Sequence, residues 1–402
     1  MPWKKIGPMD QKIRLISDWK DRYLNITDLS KKYEVSRKTI YKWIDRYETE
    51  GIDGLKDQER IPNNHPNQTD KRIVNKLIKM KYQYRKWGPK KIIALLENKY
   101  PNKKWPVVST VGTWFKKYGL VQQRKFRRKV APYEEPFLEC RNPNDIWSAD
   151  YKGQFRTQDN RVCYPLTISD NKSRYLLECE ALRGPRYDES RTVFERIFRE
   201  NGLPLAIRVD NGIPFAGTGI AGLSRMSVWW IKLGIRPERI EKGKPQQNGR
   251  HERMHRTLKE DIKMELGKNL KDQQNKFDWF RMEYNEIRPH EAIGQKPPAQ
   301  IYEKSKRPYV KKPVIPEYDL KYEVRKVKDS GEIKFKGRFY YLSALLGKEQ
   351  IGLQEIADGA WCIYFSFMPL GILNLRHNKI ETLEKGKSVT HVPGLKCNLC
   401  ST

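Results

Sequence analysis

The chain has 402 residues and a formal net charge of +31 at pH 7, with a pI near 9.7. Uncompensated Lys and Arg residues repel one another in a compact fold, and binding a polyanion relieves this repulsion, so we expect a nucleic-acid partner. The length predicts about two to four domains. The lack of a long apolar run or an export signal argues against a membrane protein, and six scattered cysteines indicate a reduced, cytosolic protein instead of a disulfide scaffold.

The first predicted elements, in residues 10–50, form a helix-turn-helix. In "NITDLSKKYEVSRKTIYKWIDRYE" we predict a short helix after Thr27, a tight turn, and a longer helix after Ser36, because both hydroxyls can cap a helix N-terminus. An ordinary helical hairpin is the alternative, but the polar face and the flanks are basic, which favours DNA binding. The side chains predicted to face the major groove are Arg37, Lys38, Tyr41 and Lys42.

A linker rich in Gly, Pro and Asn, residues 51–69, precedes a second helical pattern over residues 70–120. We predict a second helix-turn-helix there, with Ser109 capping its last helix. From Lys99 through Lys129 the chain has ten basic residues and no acidic one, which favours a phosphate-contacting arm over a merely solvated face. The predicted DNA contacts of this module and its arm are Lys116, Lys117, Arg124, Lys125, Arg127 and Arg128.

From about residue 144 the pattern changes to strands. "DIWSADYKGQF", "RVCYPLTIS" and "SRYLLECEA" alternate or run apolar, and a helix at 187–201 and a strand "LAIRVDNG" follow. Further helices are predicted from Gly249 to about Glu265 and over about 272–285. Three antiparallel strands followed by alternating helices and strands predict a mixed α/β layer fold.

Short strand patterns in residues 318–376 predict a small β-barrel, and the polar remainder of the chain a flexible tail. The pair Cys397-x-x-Cys400 near His391 is a weak zinc signal, because four ligands at credible spacing are not evident. Five domains or segments are predicted. Residues 1–55 form one helix-turn-helix, and residues 66–131 form a second one with its basic arm. Residues 140–304 form the α/β core, residues 318–376 the β domain and residues 377–402 the tail.

Three acidic residues lie at positions that could form a metal-binding catalytic site. Asp150 lies on the first strand of the α/β unit, Asp210 ends the fourth strand in "RVDNG", and Glu252 lies near the start of a later helix. Carboxylates at strand ends and a helix start can converge at one edge of a sheet. Their hard oxygens suit Mg²⁺ or Mn²⁺, and two such ions catalyse phosphoryl transfer. Taken singly, each acid is more often a surface residue or a cap, so the flanking sequence has to decide.

The stretches "WSADYKGQF", "VDNGIPF", "KPQQNGRHERMHRTLK" and "YNEIRPHEAIGQKPPAQIY" together resemble the DDE transposases of bacterial insertion sequences. The resemblance implies an RNase H-like core of the retroviral-integrase type, with N-terminal helix-turn-helix modules and a C-terminal β domain. It also implies that Asp150, Asp210 and Glu252 are the catalytic, metal-binding triad. The chain has Lys242-Gly243 where the family often has Pro-Gly, for which we expect only a small effect on a loop.

The resemblance also implies a reaction. Two Mg²⁺ ions (or Mn²⁺) would activate water to cut one strand at each end of a mobile element, and the freed 3′-hydroxyl would attack target DNA. The partners are then double-stranded DNA at the element ends and at the target, with a homo-oligomer assembled on them and no membrane. The arginines expected to hold the DNA backbone beside the triad are Arg250, Arg253 and Arg256.

One pattern points elsewhere. His251-Glu252-x-x-His255 has the spacing of a zinc metalloprotease helix. Its neighbours are arginines, and His290 fits the transposase pattern better than a third zinc ligand, so we disfavour a protease. A catalytically inactive helix-turn-helix regulator and a structure-specific nuclease on the same core remain as further alternatives.

Overall fold

The computed structural model describes residues 7–57, 68–121, 138–217, 219–241, 245–262, 265–311 and 316–381. Two compact units divide the chain, Met1–Lys71 and Arg72–Thr402. No helix within these described ranges is long and apolar enough to cross a membrane.

The N-terminal unit is a bundle of three helices, α1 (Pro8–Lys20), α2 (Ile26–Lys32) and α3 (Arg37–Glu50), closed by a 3₁₀ turn. Apolar side chains from every element meet in one core because they recur at helical spacing. A four-residue turn joins α2 to α3, as in a helix-turn-helix. The buried core residues are Leu15, Ile16, Leu29, Ile40, Ile44 and Leu55.

The caps of these helices correct one prediction. Ser36 caps α3, since its hydroxyl accepts a hydrogen bond from the Thr39 amide at 3.2 Å. Thr27 does not cap α2. The extended backbone before α2 lies at Asn25, whose side-chain oxygen accepts from the Asp28 amide at 2.9 Å, so Thr27 is already inside the first turn.

The second unit begins with three more helices, α4 (Lys71–Gln83), α5 (Pro89–Lys99) and α6 (Val108–Lys117), which share a core of their own. Val107, and not the predicted Ser109, precedes α6 as its N-cap, and no side chain caps this helix. Lys90 forms an ion pair with Glu291 at 3.0 Å, and the Arg288 guanidinium lies 5.8 Å from the centre of the Trp87 ring, so these helices contact the segment that follows α10 (Leu270–Met282).

The central sheet is mixed, as predicted. Its strands are β1 (Ile146–Tyr151), β2 (Phe155–Arg156), β3 (Val162–Asp170), β4 (Leu176–Leu182), β5 (Ala206–Val209) and β6 (Arg236–Arg239). β3 pairs antiparallel with β1, β2 and β4, whereas β5 pairs parallel with β1 and with β6. Parallel pairing brings the carboxyl ends of β1 and β5 to the same edge of the sheet.

Helices cover both faces of this sheet. On one face, α7 (Tyr187–Asn201) and α8 (Arg225–Lys232) bury an aromatic core that includes Trp147 and Trp230. On the other face, α9 (Gly249–Ile262) and α10 (Leu270–Met282) pack over β3 and β4. Alternation along β1 points Trp147 and Ala149 to the first face, so Asp150 points to the second, where α9 lies.

The C-terminal strands correct the barrel prediction. They are β7 (Glu323–Lys326), β8 (Glu332–Phe335), β9 (Arg338–Tyr341), β10 (Gln350–Ala357), β11 (Ala360–Phe365), β12 (Met368–Asn374) and β13 (Lys379–Glu381). Five of them form an open antiparallel sheet in the order β13-β12-β11-β10-β7, and β8 pairs only with β9 among the described strands. The sheet need not close on itself, because its apolar face also packs against α8 through Val228 and Ile231.

The cap at α3 generates the first prediction. Ser36→Ala should destabilise the start of α3 by about 1 kcal/mol, because the Thr39 amide loses its acceptor. Hydrogen exchange of the α3 amides in the full chain measures this loss of protection. Thr27→Ala is the matched control and should leave the protection of α2 nearly unchanged; a loss at α2 equal to that at α3 would contradict the assignment of Asn25 as its cap.

Candidate active site and nucleic-acid interface

Two of the predicted catalytic acids lie side by side at the edge of the central sheet. The register of the parallel β1–β5 pair matches Ala149 with Val209, so Asp150 and Asp210 are the next residues on neighbouring strands. Neighbouring strands lie about 4.8 Å apart. The Asp210 carboxylate accepts a hydrogen bond from the Gly212 amide at 2.9 Å, and a Cβ at residue 212 would lie 3.0 Å from this carboxylate, so glycine leaves it room.

The third acid comes from α9. Glu252 lies in the first turn of this helix and is exposed, while His251, Met254 and His255 on the same helix are buried against the sheet. The negative charge of Glu252 is the smallest of the causes that raise the pKa of Asp150, after burial and the charge of Asp210, which indicates that Glu252 lies near that carboxyl. The structure therefore brings all three acids to the same edge of the sheet.

A buried hydrogen-bond network fixes α9 on the sheet beside these acids. The Thr167 hydroxyl on β3 lies 2.8 Å from Nε2 of His251 and 2.6 Å from Nε2 of His255. The same hydroxyl donates to the backbone oxygen of Asp150 at 3.0 Å, and the Ser169 hydroxyl lies 2.8 Å from Nδ1 of His251. One threonine thus joins α9 to both β3 and β1.

The network also assigns the histidine tautomers. The Thr167 hydroxyl has one proton, which it donates to Asp150, so both Nε2 atoms must donate to the threonine oxygen. The Ser169 hydroxyl then donates to Nδ1 of His251. Nδ1 of His255 carries no proton and lies 3.5 Å from Oδ2 of Asp150. Burial agrees with neutral rings, because it lowers the pKa of His251 to about 3 and that of His255 well below its ordinary value.

The Asp150 carboxyl is the perturbed acid of the group. Burial raises its pKa to about 7, and the negative charges of Asp210 and Glu252 add to the rise. A carboxylate next to a bare imidazole nitrogen and two other carboxylates is poorly stabilised as an anion, so a proton or a cation is favoured there.

The donor set fits a hard divalent cation in its chemistry. Three carboxylates supply the oxygen ligands that Mg²⁺ and Mn²⁺ prefer, and their mutual repulsion is what a bound cation compensates. Among the described residues, no three His, Cys, Asp or Glu side chains stand close enough to hold a metal ion as they are. Binding would therefore require these carboxylates to turn toward one another.

The zinc alternative is not supported by the geometry. In a zinc helix the two imidazoles at this spacing converge on the metal. Here the two Nε2 atoms, of His251 and His255, converge on the Thr167 hydroxyl instead. The pair Cys397 and Cys400, with His391, lies outside the described residues, as does Lys242-Gly243.

The predicted DNA-contact residues fall on several surfaces. Those at the start of α3 are exposed, as are the two lysines in the last turn of α6 and the three arginines of α9. Arg250 also donates from Nη1 to the backbone oxygen of Asn171 at 3.2 Å. The arm residues Arg124, Lys125, Arg127 and Arg128 lie outside the described residues. The exposed ones are Arg37, Lys38, Tyr41, Lys42, Lys116, Lys117, Arg250, Arg253 and Arg256.

Sequence reasoning missed Thr167 and Ser169. A signal was present in "PLTISD", where small polar residues occupy every second position of a strand that is otherwise apolar. Such alternation places both hydroxyls on one buried face, where they need hydrogen-bond partners. The two histidines of "HERMH", one helical turn apart, are those partners.

The network generates a stability prediction. Thr167→Val should lower the free energy of unfolding by about 2–4 kcal/mol, because two buried imidazoles lose their acceptor while the side-chain shape is kept. Chemical denaturation measures the change. Thr167→Ser keeps the hydroxyl and should recover most of the loss that the hydrogen bonds cause; equal losses in both variants would mean that only the methyl group matters.

The Asp150 carboxyl generates a pH prediction. Its folded-state pKa lies above the unfolded value, so the folded protein binds a proton more tightly and wild-type stability falls as the pH rises through about 7. Asp150→Asn cannot ionise and should melt several degrees above wild type at pH 8 in the presence of a chelator. The difference in melting temperature between Asp150→Asn and wild type should be smaller at pH 5. Glu260→Gln, at an exposed carboxylate on α9, should leave the melting temperature within a degree or so of wild type at both pH values.

Comparison with known families agrees with this architecture. The family described as "Integrase core domain" matches residues 141–245, and a second family of the same description matches residues 233–298. "Helix-turn-helix domain" matches residues 11–62, and "Homeodomain-like domain" matches residues 39–115. The integrase matches cover the strands and the helix that carry the three acids.

Two insertion-element proteins are similar to the chain. The IS476 uncharacterized 39.2 kDa protein of Xanthomonas euvesicatoria is 25% identical over 59% of this chain and 66% of its own length. The IS407 uncharacterized 31.7 kDa protein of Burkholderia multivorans is 23% identical over 59% of this chain and 82% of its own length. The chain thus spans slightly less than two thirds of the first relative.

Solved structures are also similar. The HTLV-2 integrase catalytic core domain in complex with magnesium, in its trimeric form, is 18% identical, with 40% of this chain and 98% of that chain covered and a TM-score of 0.32. A simian T-cell lymphotropic virus intasome chain is 15% identical, with 73% and 95% covered and a TM-score of 0.36. With its two integrase-core matches, its helix-turn-helix match and its insertion-element relatives, the chain is similar to the transposases of bacterial insertion sequences that have an integrase-type core.

Proposed function

We propose that this chain cuts and joins DNA at the terminal inverted repeats of a mobile element, with Asp150, Asp210 and Glu252 as its catalytic carboxylates. The observation that carries the proposal is the position of Asp150. This carboxyl is held at the end of a buried strand, next to Asp210 on the parallel neighbour and within reach of the charge of Glu252. Clustered carboxylates repel one another and destabilise the metal-free protein, so such an arrangement is useful only where a cation is bound.

The chain's own residues hold and orient the groups of the reaction. Asp150 and Asp210 present carboxylate oxygens from the rigid strand ends, and Glu252 approaches from α9. Two divalent cations of the Mg²⁺ or Mn²⁺ type, when bound there, supply activation of the attacking oxygen and compensation of charge on the phosphate. The Thr167 hydrogen bond to the Asp150 backbone keeps that carboxyl from moving with the loop that follows β1.

The proposed chemistry has two steps. In the first, a water oxygen attacks phosphorus, the bond from phosphorus to the 3′ oxygen of the element breaks, and a free 3′-hydroxyl is left. In the second, that hydroxyl attacks a phosphodiester of the target DNA, and one phosphodiester replaces another without a covalent protein–DNA intermediate. Two element ends have to be processed together, so we propose a homo-oligomer assembled on DNA.

Basic side chains on separate elements would hold the DNA. The exposed cationic residues at the start of α3, on α6 and along the outer face of α9 are suited to phosphate contacts, because each can donate charge-assisted hydrogen bonds. Of these elements, α3 and α6 are helices with which a helix-turn-helix protein would contact the groove and its flanking backbone. We propose that these surfaces bind the element ends and that α9 keeps the cut phosphate beside the acids.

A catalytically inactive DNA-binding regulator is the second candidate. The helix-turn-helix matches alone are compatible with it. It gives no account of why Asp150 is kept as a buried carboxyl with a raised pKa, where asparagine would be better tolerated. The two candidates differ in one measurable activity.

Plasmid nicking distinguishes them. With Mn²⁺ or Mg²⁺, the full chain should convert supercoiled plasmid to the open-circular form, and Asp150→Asn, Asp210→Asn and Glu252→Gln should each lower the rate by at least about a hundredfold, because each removes a metal-ligand charge. Gel electrophoresis over time measures the rate. Glu260→Gln is the matched control on α9 and should nick like wild type.

Other outcomes would be equally informative. If wild type did not nick a plasmid that carries the element's own ends, while still binding them, the inactive regulator would be the correct function. Stoichiometric zinc in the purified protein, together with cleavage of a protein substrate that is lost in Glu252→Gln but kept in Asp150→Asn, would instead establish the protease.

A further inference from the structure

Among the described residues, Arg174 is a cation without an ion-pair partner. It lies in the turn between β3 and β4, in the left-handed backbone region at φ 68°, and its side chain is half-buried. The Nη1 atom is fully buried and has no hydrogen-bond partner. Among the described residues no carboxylate forms an ion pair with this guanidinium, although buried arginines in folded proteins are normally paired.

The groups around Arg174 increase its isolation. Arg250 reaches the same turn, since its Nη1 donates to the backbone oxygen of Asn171, and Arg253 follows one helical turn later on α9. Both arginines, together with burial as the larger cause, lower the pKa of Arg174 to about 10. The remaining titratable neighbours that affect it are Tyr284 and Cys140, which are neutral at pH 7.

The one acid of the turn is already used. The Asp170 carboxylate accepts hydrogen bonds from the backbone amides of Asn144 and Ser173, at 2.8 and 2.7 Å, and from the Ser173 hydroxyl at 2.6 Å. It therefore stabilises the turn itself and leaves the guanidinium unpaired. Arg174, Arg250 and Arg253 thus bring three positive charges from two elements near this turn, and among the described residues no carboxylate is paired with Arg174.

The chemistry of that anion follows from its setting. A guanidinium presents N–H donors in a planar fork that matches the oxygens of a phosphate. Arg250 and Arg253 lie in the first turns of α9, the helix that carries Glu252, so an anion held by the cluster would lie at the same end of this helix as that proposed catalytic carboxylate. A free carboxylate ligand would have no reason to be there, whereas a DNA strand that enters the site must place its next phosphates nearby.

We infer that Arg174, Arg250 and Arg253 form a site for one backbone phosphate of the bound DNA, adjacent to the phosphate that reacts. The inference rests on the proposed function and adds a residue from a second element to it. Arg174 is the central member, because it is the least hydrated of the three and gains most from an anion. In the free protein its unpaired charge is a cost to stability, which the phosphate removes.

The test measures DNA binding and stability with the same full-length variants. A short fluorescent duplex is titrated by anisotropy in a chelator, so that no cleavage occurs, over a range of salt concentrations. Arg174→Gln should weaken binding about tenfold and reduce the salt dependence of the affinity. It should also raise the melting temperature of the DNA-free protein, since an unpaired, partly buried charge is gone.

A matched control removes a charge elsewhere. Arg183 is exposed and follows the other end of β4, about 20 Å or more away along the strand. Arg183→Gln should change the affinity by less than about twofold and leave the melting temperature unchanged. If Arg174→Gln behaved like Arg183→Gln in binding, the inference would be overturned, whatever its melting temperature.

A double substitution tests whether the phosphate is shared. If Arg174 and Arg253 hold one phosphate, the fold-loss of DNA affinity in the double variant Arg174→Gln/Arg253→Gln should differ from the product of the fold-losses in the two single variants. Independent, multiplying losses would contradict a shared site. Failure of the proposed function shows separately, as wild-type protein that does not nick plasmid with Mn²⁺, because the binding titration needs no catalysis.

Discussion

The hydrogen bonds of one hydroxyl group determine where the acids of this core can lie. Thr167 on β3 connects the backbone of Asp150 on β1 with two imidazoles of α9. Glu252 is one residue from His251, so the distance between Glu252 and the strand ends depends on that contact. The rest of the site, from the Asp150–Asp210 register to the arginines of α9, is positioned relative to it.

The sheet explains why a network of this kind is needed. The parallel pair β1–β5 fixes two carboxylates through backbone hydrogen bonds, which side-chain charge cannot easily distort. A helix has no such connection to a sheet, and apolar packing alone lets it slide by an ångström or more. Met254 and Leu258 supply the burial that holds α9 down, while the directional bonds from His251 and His255 fix its position along the sheet.

Much of this arrangement could be predicted from the sequence, and the failures have physical causes. The strands and the central helices follow from alternation and helical spacing, and the three acids from their motif contexts. The cap at Asn25 was missed because Asn25 and Thr27 lie only two residues apart and both residue types can cap a helix, so only the backbone angles decide between them. The open C-terminal sheet was missed because a strand pattern does not say whether an apolar face closes on itself or, as here, packs on a neighbouring helix such as α8.

The motif "HERMH" shows that a sequence pattern is also insufficient to decide function. Two imidazoles one turn apart can hold zinc, yet their partner is set by what the facing strand presents, and here β3 presents Thr167 and Ser169. Glu252 is thereby turned to the exposed side of the same helix, while His251 and His255 are buried against the sheet. The acids and the arginines of α9 are thus two groups of opposite charge at one end of this helix. Under the proposed function, a cation bound to the acids would reduce the repulsion among the carboxylates, and a phosphate bound to the arginines would reduce the repulsion among the guanidinium groups. The bound cation and the bound phosphate would also attract each other. Metal binding and DNA binding would therefore reinforce one another.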